Sequence, residues 1–213
     1  MSPITMRVSG GLEDGLLKET YYSLCKKLDQ YRLSLDWFEA RKGVLPFVRG
    51  LRFSALLIYS IRKVITEPTL KASWGVILDD EGLGCSRECD IIVHRGRYAY
   101  AWDGDDSKGK RVMDFRFIRH NDARLVVSCK SEVDSVDGEI RDYAQNLEGY
   151  VKRIWLFAEC CKTGRADALR KRAREAGYER FWYLYTLKEG RVGQEYNEPG
   201  WMAFVEELRS LEA

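Results

Sequence analysis

"RLVVSCKSEV", Arg124 to Val133, sets an apolar run directly before a lysine. The run is rich in β-branched residues and short, so it reads as a buried strand that delivers the Lys130 ammonium to its own end. By the two-residue period of a strand, Ser128 and Lys130 share a face. A second stretch, "CSRECDIIVH" (residues 85–94), has the same form with opposite charge. There Glu88 and Asp90 share one face, and Ile91 and Val93 share the other. Carboxylates buried without partners are costly, so this pair belongs at a sheet end, facing solvent, a cation or a metal. If the two strands lie side by side, Asp90 falls near Lys130 at the open end of the sheet.

Around these strands the chain alternates clearly. Residues 12–40 carry Leu16, Tyr21, Leu24, Leu28, Tyr31 and Leu35 at near-helical spacing, which predicts one long helix or two consecutive ones. After "RKGVLP" a second helix is expected over about residues 50–66, with Leu51, Leu57, Ile58, Ile61 and Ile65 apolar and Pro68 ending the run. "SWGVIL", "CDIIVH", "YAYAW", "VMDFRFI" and "RLVVSC" then read as strands joined by hairpin-like turns, in an antiparallel series. "SVDGEIRDYAQNLEGYV" has an apolar stripe of Ile140, Ala144, Leu147 and Val151, as a helix packed on a sheet would. "RIWLFAECC" is a strand, "GRADALRKRAREAGY" a basic helix closed by Gly177, "RFWYLYTL" a strand and "GWMAFVEELRSLEA" a terminal helix. The order predicts an α/β three-layer sandwich with a mixed central sheet, as one compact domain. Residues 1–70 form a helical region packed on a core of residues 71–213.

Composition narrows the function classes. The chain has 213 residues, enough for a substantial core, and its 35 Lys+Arg against 33 Asp+Glu give a net charge of +2, so bulk charge neither demands nor excludes nucleic acid. No apolar run is long enough to span a bilayer, and the first residues lack the pattern of a signal peptide, so a cytoplasmic protein without membrane contact is expected. The six cysteines (25, 85, 89, 129, 160, 161) form neither a CxxC pair nor a zinc spacing with histidine, and read as core or surface thiols. No GxSxG, Walker or GxGxxG motif is present, and His94 and His120 are the only histidines.

The paired strands resemble the restriction-endonuclease-like, or PD-(D/E)xK, nuclease superfamily. The likeness runs from about Trp74 to Glu159: "WGVILDDEGLGCSRECDIIV" is similar to the hairpin that carries the metal-binding aspartate, "ARLVVSCKS" to the acidic-x-Lys strand, and "DGEIRDYAQNLEGYVKRIWLFAE" to the helix and strand completing an αβββαβ core. The resemblance implies a metal-dependent nuclease hydrolysing phosphodiester bonds in DNA, of restriction, repair or defence type, with Mg²⁺ or Mn²⁺ as cofactor and a homodimer as one expected assembly. Asp90 would be a metal ligand, the Cys129 carbonyl a second, and Lys130 the catalytic lysine. Ser128 stands where the family usually has Asp or Glu. Glu139 or Glu88 would then replace the missing carboxylate, with Glu139 preferred. The alternative is a decayed site, with Asp90 and Lys130 as a structural ion pair in a domain that binds nucleic acid or a protein partner.

Phosphate contacts are expected from Lys162, Arg165, Arg170 and Arg174 in and beside the basic helix, and from a second group, Arg41, Lys42, Arg49 and Arg52. Trp155 and Trp182 read as core residues. Trp74 and Trp102 are open between core packing and base stacking, and the loop 103–110 reads as a polar flap.

Overall fold

Alternating burial along the central strands organises two opposed helical layers. The structure, a computed structural model, describes residues 10–36, 45–82, 84–96, 99–105, 111–188 and 191–212. Helices α1 (Gly10–Asp36) and α2 (Leu45–Val64) precede β1 (Lys71–Leu78), β2 (Cys89–His94), β3 (Tyr100–Asp105), β4 (Arg111–Arg119) and β5 (Ala123–Val133). Then come α3 (Gly138–Gln145), β6 (Ile154–Lys162), α4 (Ala166–Glu175), β7 (Arg180–Lys188), β8 (Arg191–Tyr196) and α5 (Glu198–Arg209). The eight strands form one mixed sheet in the order β3-β4-β1-β2-β5-β6-β7-β8.

On β5, Leu125, Val127 and Cys129 turn to one face, where they meet Leu24 and Leu28 of α1, Leu57 and Ile61 of α2, and Trp201 and Phe204 of α5. Val126 turns to the other, where Leu156 and Ala158 of β6 pack under Ile140 and Ala144 of α3 and Leu169 and Ala173 of α4. A strand covered on both faces needs apolar residues at successive positions, which explains the unbroken run in "RLVVSC". The three-layer α/β sandwich is therefore the one expected from the sequence.

Several details differ. The stripe of α1 starts at Leu17, which is buried, whereas Leu16 is exposed; the side chains of Tyr31 and Leu35 lie outside the described residues. Helix α2 begins at Leu45, earlier than expected, and its Leu51 is exposed. The strands do not run as a simple antiparallel series. The β3–β4 hairpin sits beyond β1, with β4 parallel to it, because both flanks of β2 are already taken by β1 and β5. Gly75 permits this contact: a Cβ there would lie 1.9 Å from the Arg116 carbonyl oxygen, so any other residue would push β1 and β4 apart. Asp103–Asp105, expected in a loop, belong to β3, and residues 106–110 lie outside the described residues. The basic helix α4 ends as its sequence indicates, on Gly177 at φ +98°, with the Tyr178 N–H returning to the Ala173 carbonyl at 3.0 Å.

Aromatic packing ties α5 to the sheet. Phe204, fully buried, meets the rings of Trp155, Phe157, Trp182 and Trp201 at centroid distances of 4.8–5.8 Å. Phe204→Ala should cost about 3–5 kcal/mol of unfolding free energy in urea titration, from lost burial plus the cavity left among rings that cannot collapse. A loss below about 1 kcal/mol would contradict this packing.

Candidate active site

The two strands singled out by sequence are hydrogen-bonded neighbours, with Ile91 opposite Val127 and Val93 opposite Leu125 in an antiparallel ladder. Where the ladder ends, a side chain takes over from the backbone: the Cys129 N–H donates to Asp90 Oδ2 at 2.8 Å. One residue further along β5, Lys130 Nζ donates to Glu139 Oε1 at 3.0 Å, from the first turn of α3. An acidic residue there is favoured by the helix dipole and reaches back over the strand end. Glu88, just before β2, accepts from Trp74 Nε1 at 2.8 Å, and its backbone carbonyl accepts from the Tyr143 hydroxyl at 3.3 Å. Tyr143 lies one helical turn beyond Glu139.

These groups surround one cavity of about 530 Å³. Its floor is the end of β2 and β5, with Glu88, Asp90, Cys129, Lys130 and Glu132; α3 supplies Glu139 and Tyr143, and α2 supplies Gly50, Leu51, Ser54, Ala55 and Ile58. Four carboxylates thus face one ammonium among the described residues.

Burial pushes the Asp90 carboxyl up to about 6; the Cys129 N–H and then the Lys130 charge oppose this, and Glu88 adds to it. Burial also pushes the Cys89 thiol up to about 12 and the Cys129 thiol well above its ordinary value. Both therefore stay protonated and are poor soft-metal ligands, so the donors on offer are oxygens. The Lys130–Glu139 pair is different, since the Glu139 side chain is 83% exposed and such a pair is weak and easily opened.

Ser128 does not join the site. It is fully buried on the α3–α4 side of β5, beside the Tyr178 hydroxyl, and it does not line the cavity. Alternation places it with Val126, whereas Lys130 lies at the strand end and reaches Glu139. Trp74 and Tyr143 complete the cavity. Trp74 was open between packing and stacking from the sequence, and Tyr143 carried no signal beyond its i+4 spacing from Glu139.

The basic residues are spread out. Arg170 pairs with Asp167 at 2.7 Å and Lys162 with Asp134 at 2.8 Å; Arg165, just before α4, and Arg174, on it, are exposed; none of the four lines the cavity. Arg52 Nη2 donates to the Leu28 carbonyl at 2.9 Å and so ties α2 to α1. Arg49 immediately precedes the cavity residue Gly50. Arg41 and Lys42, and the side chain of Trp102, lie outside the described residues.

The mixed sheet between two helical layers defines an α/β fold shared with several solved structures. Among them the chain is similar to NucC of E. coli MS115-1 in its cAAA-bound form, at 12% identity over 97% of this chain and 92% of that one, with a TM-score of 0.59. NucC of P. aeruginosa ATCC27853, also cAAA-bound, matches at 13% identity over 93% and 90% with a TM-score of 0.58, and the apo form of the E. coli protein at 13% over 91% and 90% with 0.52. No family model and no curated sequence matches the chain. At such identity the likeness carries the fold, and the chemistry is argued from this chain's own residues.

Because the folded state holds the Asp90 proton more tightly than the unfolded chain, ionising Asp90 destabilises the fold. Its unfavourable contribution is absent below about pH 4, grows as pH rises toward about 6, and is complete at neutral pH. In EDTA, Asp90→Asn should therefore be more stable than wild type at neutral pH, by on the order of 2–3 kcal/mol, with the difference vanishing near pH 4. A variant less stable than wild type at neutral pH in urea titration would contradict the half-buried, ionised carboxylate.

Proposed function

We propose that the protein is a divalent-cation-dependent nuclease that hydrolyses phosphodiester bonds in DNA. The observation that carries this reading is the placement of half-buried Asp90, bonded to the Cys129 N–H, and Lys130 in one cavity at the end of two central strands. The resemblance of its two central strands to the PD-(D/E)xK nuclease superfamily, with the fold shared with NucC, supports it.

The donor set fits a hard cation. Mg²⁺ keeps several waters and needs only one or two carboxylates, so the absence of a three-carboxylate cluster among the described residues is compatible with it. Asp90, held up to about 6 by burial, gains most from a cation beside it. Asp90 and the Cys129 carbonyl would hold Mg²⁺ or Mn²⁺. Glu139 is the better substitute for the carboxylate that Ser128 lacks, because its exposed side chain is free to swing while Glu88 is held by Trp74. When bound, the ion supplies charge neutralisation at the phosphate and acidifies a water. Lys130 orients the attacking water or meets the charge that develops on the scissile phosphate. Glu139 keeps the Lys130 side chain extended over the strand end until substrate arrives.

A second cavity, of about 520 Å³, lies at the opposite end of β1 and β2. It presents Arg62, Lys71 and Arg116 against one carboxylate, Glu67, together with His94 and Ser73, whose Nε2 and Oγ are 3.0 Å apart. Arg62 Nε is committed to the Ala72 carbonyl at 2.8 Å and Arg116 is buried, so exposed Lys71 is the cation that a phosphate-bearing ligand would meet there. With NucC solved in cAAA-bound form, the combination supports a ligand of that kind as its occupant.

Plasmid, linear and single-stranded DNA incubated with Mg²⁺ or Mn²⁺ should be cut by wild type, and Asp90→Ala or Lys130→Ala should lower the rate at least about 100-fold. Cleavage indifferent to both substitutions would refute the site. Absence of cleavage, with DNA binding that weakens steeply with salt, would instead make the domain a binding module. For the second cavity, calorimetry with cAAA should show binding that Lys71→Glu weakens at least about tenfold. Wild type that binds no cAAA would refute that occupant.

A further inference from the structure

We infer that the cavity holding Asp90 and Lys130 receives its DNA as an unpaired nucleotide, base inward, rather than as an intact duplex. The inference rests on the nuclease reading of that site. Its basis is the chemistry of the opposing walls. Across from the carboxylate-lined floor, α2 presents Leu51, Ala55 and Ile58, and Trp74 closes one end. Leu51 is half exposed and adds apolar surface to this wall.

Trp74 is a fixed platform. Its ring packs edge-on against Phe115 at 5.2 Å, and its Nε1–H is held by Glu88 at 2.8 Å. A ring locked by both contacts is preorganised for stacking. An apolar wall and an indole match the face of a nucleobase. They do not match a phosphodiester backbone, which is ionised along its whole length.

Charge points the same way. A duplex brings one negative charge per about 1.7 Å of axis, and a groove that follows it needs many cations. Among the described residues this cavity offers a single ammonium against four carboxylates, some of which a bound cation would offset, so one phosphate beside Lys130 is better served than a run of them. A volume of about 530 Å³ belongs to pockets that enclose one small molecule. One nucleotide, with its phosphate at Lys130 and its base against Trp74 and α2, satisfies both walls at once.

The test compares a single-stranded oligonucleotide carrying 2-aminopurine, the same sequence as a continuous duplex, and that duplex with a mismatch at the probe. Binding is read by 2-aminopurine emission in Ca²⁺, and cleavage in Mg²⁺. Single-stranded and mismatched DNA should be cut at least about tenfold faster than the continuous duplex, and binding should change the emission of the probe. Ala55→Trp, at an exposed position where the fold is spared, fills the cavity and should weaken single-strand binding at least about tenfold with an unchanged melting temperature. Trp74→Phe should keep part of the stacking signal. A continuous duplex cut as fast as single strand, or an Ala55→Trp protein that binds as wild type does, would overturn the inference. If the protein cuts nothing, the nuclease reading fails, while the emission arm still decides whether a base enters the cavity.

Discussion

The hydrogen bond from the Cys129 N–H to Asp90 Oδ2 is the contact on which the site depends. It occupies the place where the β2–β5 ladder would otherwise end and sinks a carboxylate among covered strands. Such burial is costly unless something compensates for it, and a single N–H and a neighbouring lysine do so only in part. The rest of the fold keeps that cost in place. Apolar residues on both faces of β5 pin it between two helical layers, and α2 and α3, on opposite sides of the sheet, lean over its end to form the cavity.

Much of this was legible in the sequence because strand alternation is a local signal. "CDIIVH" and "RLVVSCKS" announce their covered faces, and the acidic and basic ends follow from the same period. What local pattern does not encode is which strand meets which. The parallel contact of β1 with β4 is dictated by the close approach of Gly75 to Arg116, two residues that sequence alone does not connect. Strand β8, "RVGQEY", has too little apolar alternation to stand out beside its turn residues. Leu16 and Leu17 are both compatible with a helical stripe, and only packing selects Leu17.

The site shows the same division. Glu139, like Glu88 as a substitute ligand, was named only through the resemblance to the PD-(D/E)xK superfamily, whereas Asp90 and Lys130 were placed by strand periodicity. Ser128 was given a place beside Lys130 on the same argument, yet it is buried under the α3–α4 layer, since the strand end frees the lysine but not the residue two positions earlier. Trp74 enters because β1 pairs with β2, and Leu51 and Ala55 because α2 packs across the sheet. Each is a long-range consequence of topology. These late arrivals make the cavity a place for a base as well as for a phosphate, and they lie on β1 and α2, which also line the second cavity through Lys71, Ser73 and Arg62.

Anomalous diffraction from crystals grown with Mn²⁺ tests the central claim most directly. The account predicts a single strong manganese peak in contact with the Asp90 carboxylate and the Cys129 carbonyl, lost in Asp90→Asn crystals. Crystals at neutral pH with no manganese at Asp90, and Lys130 still paired only with Glu139, would contradict it.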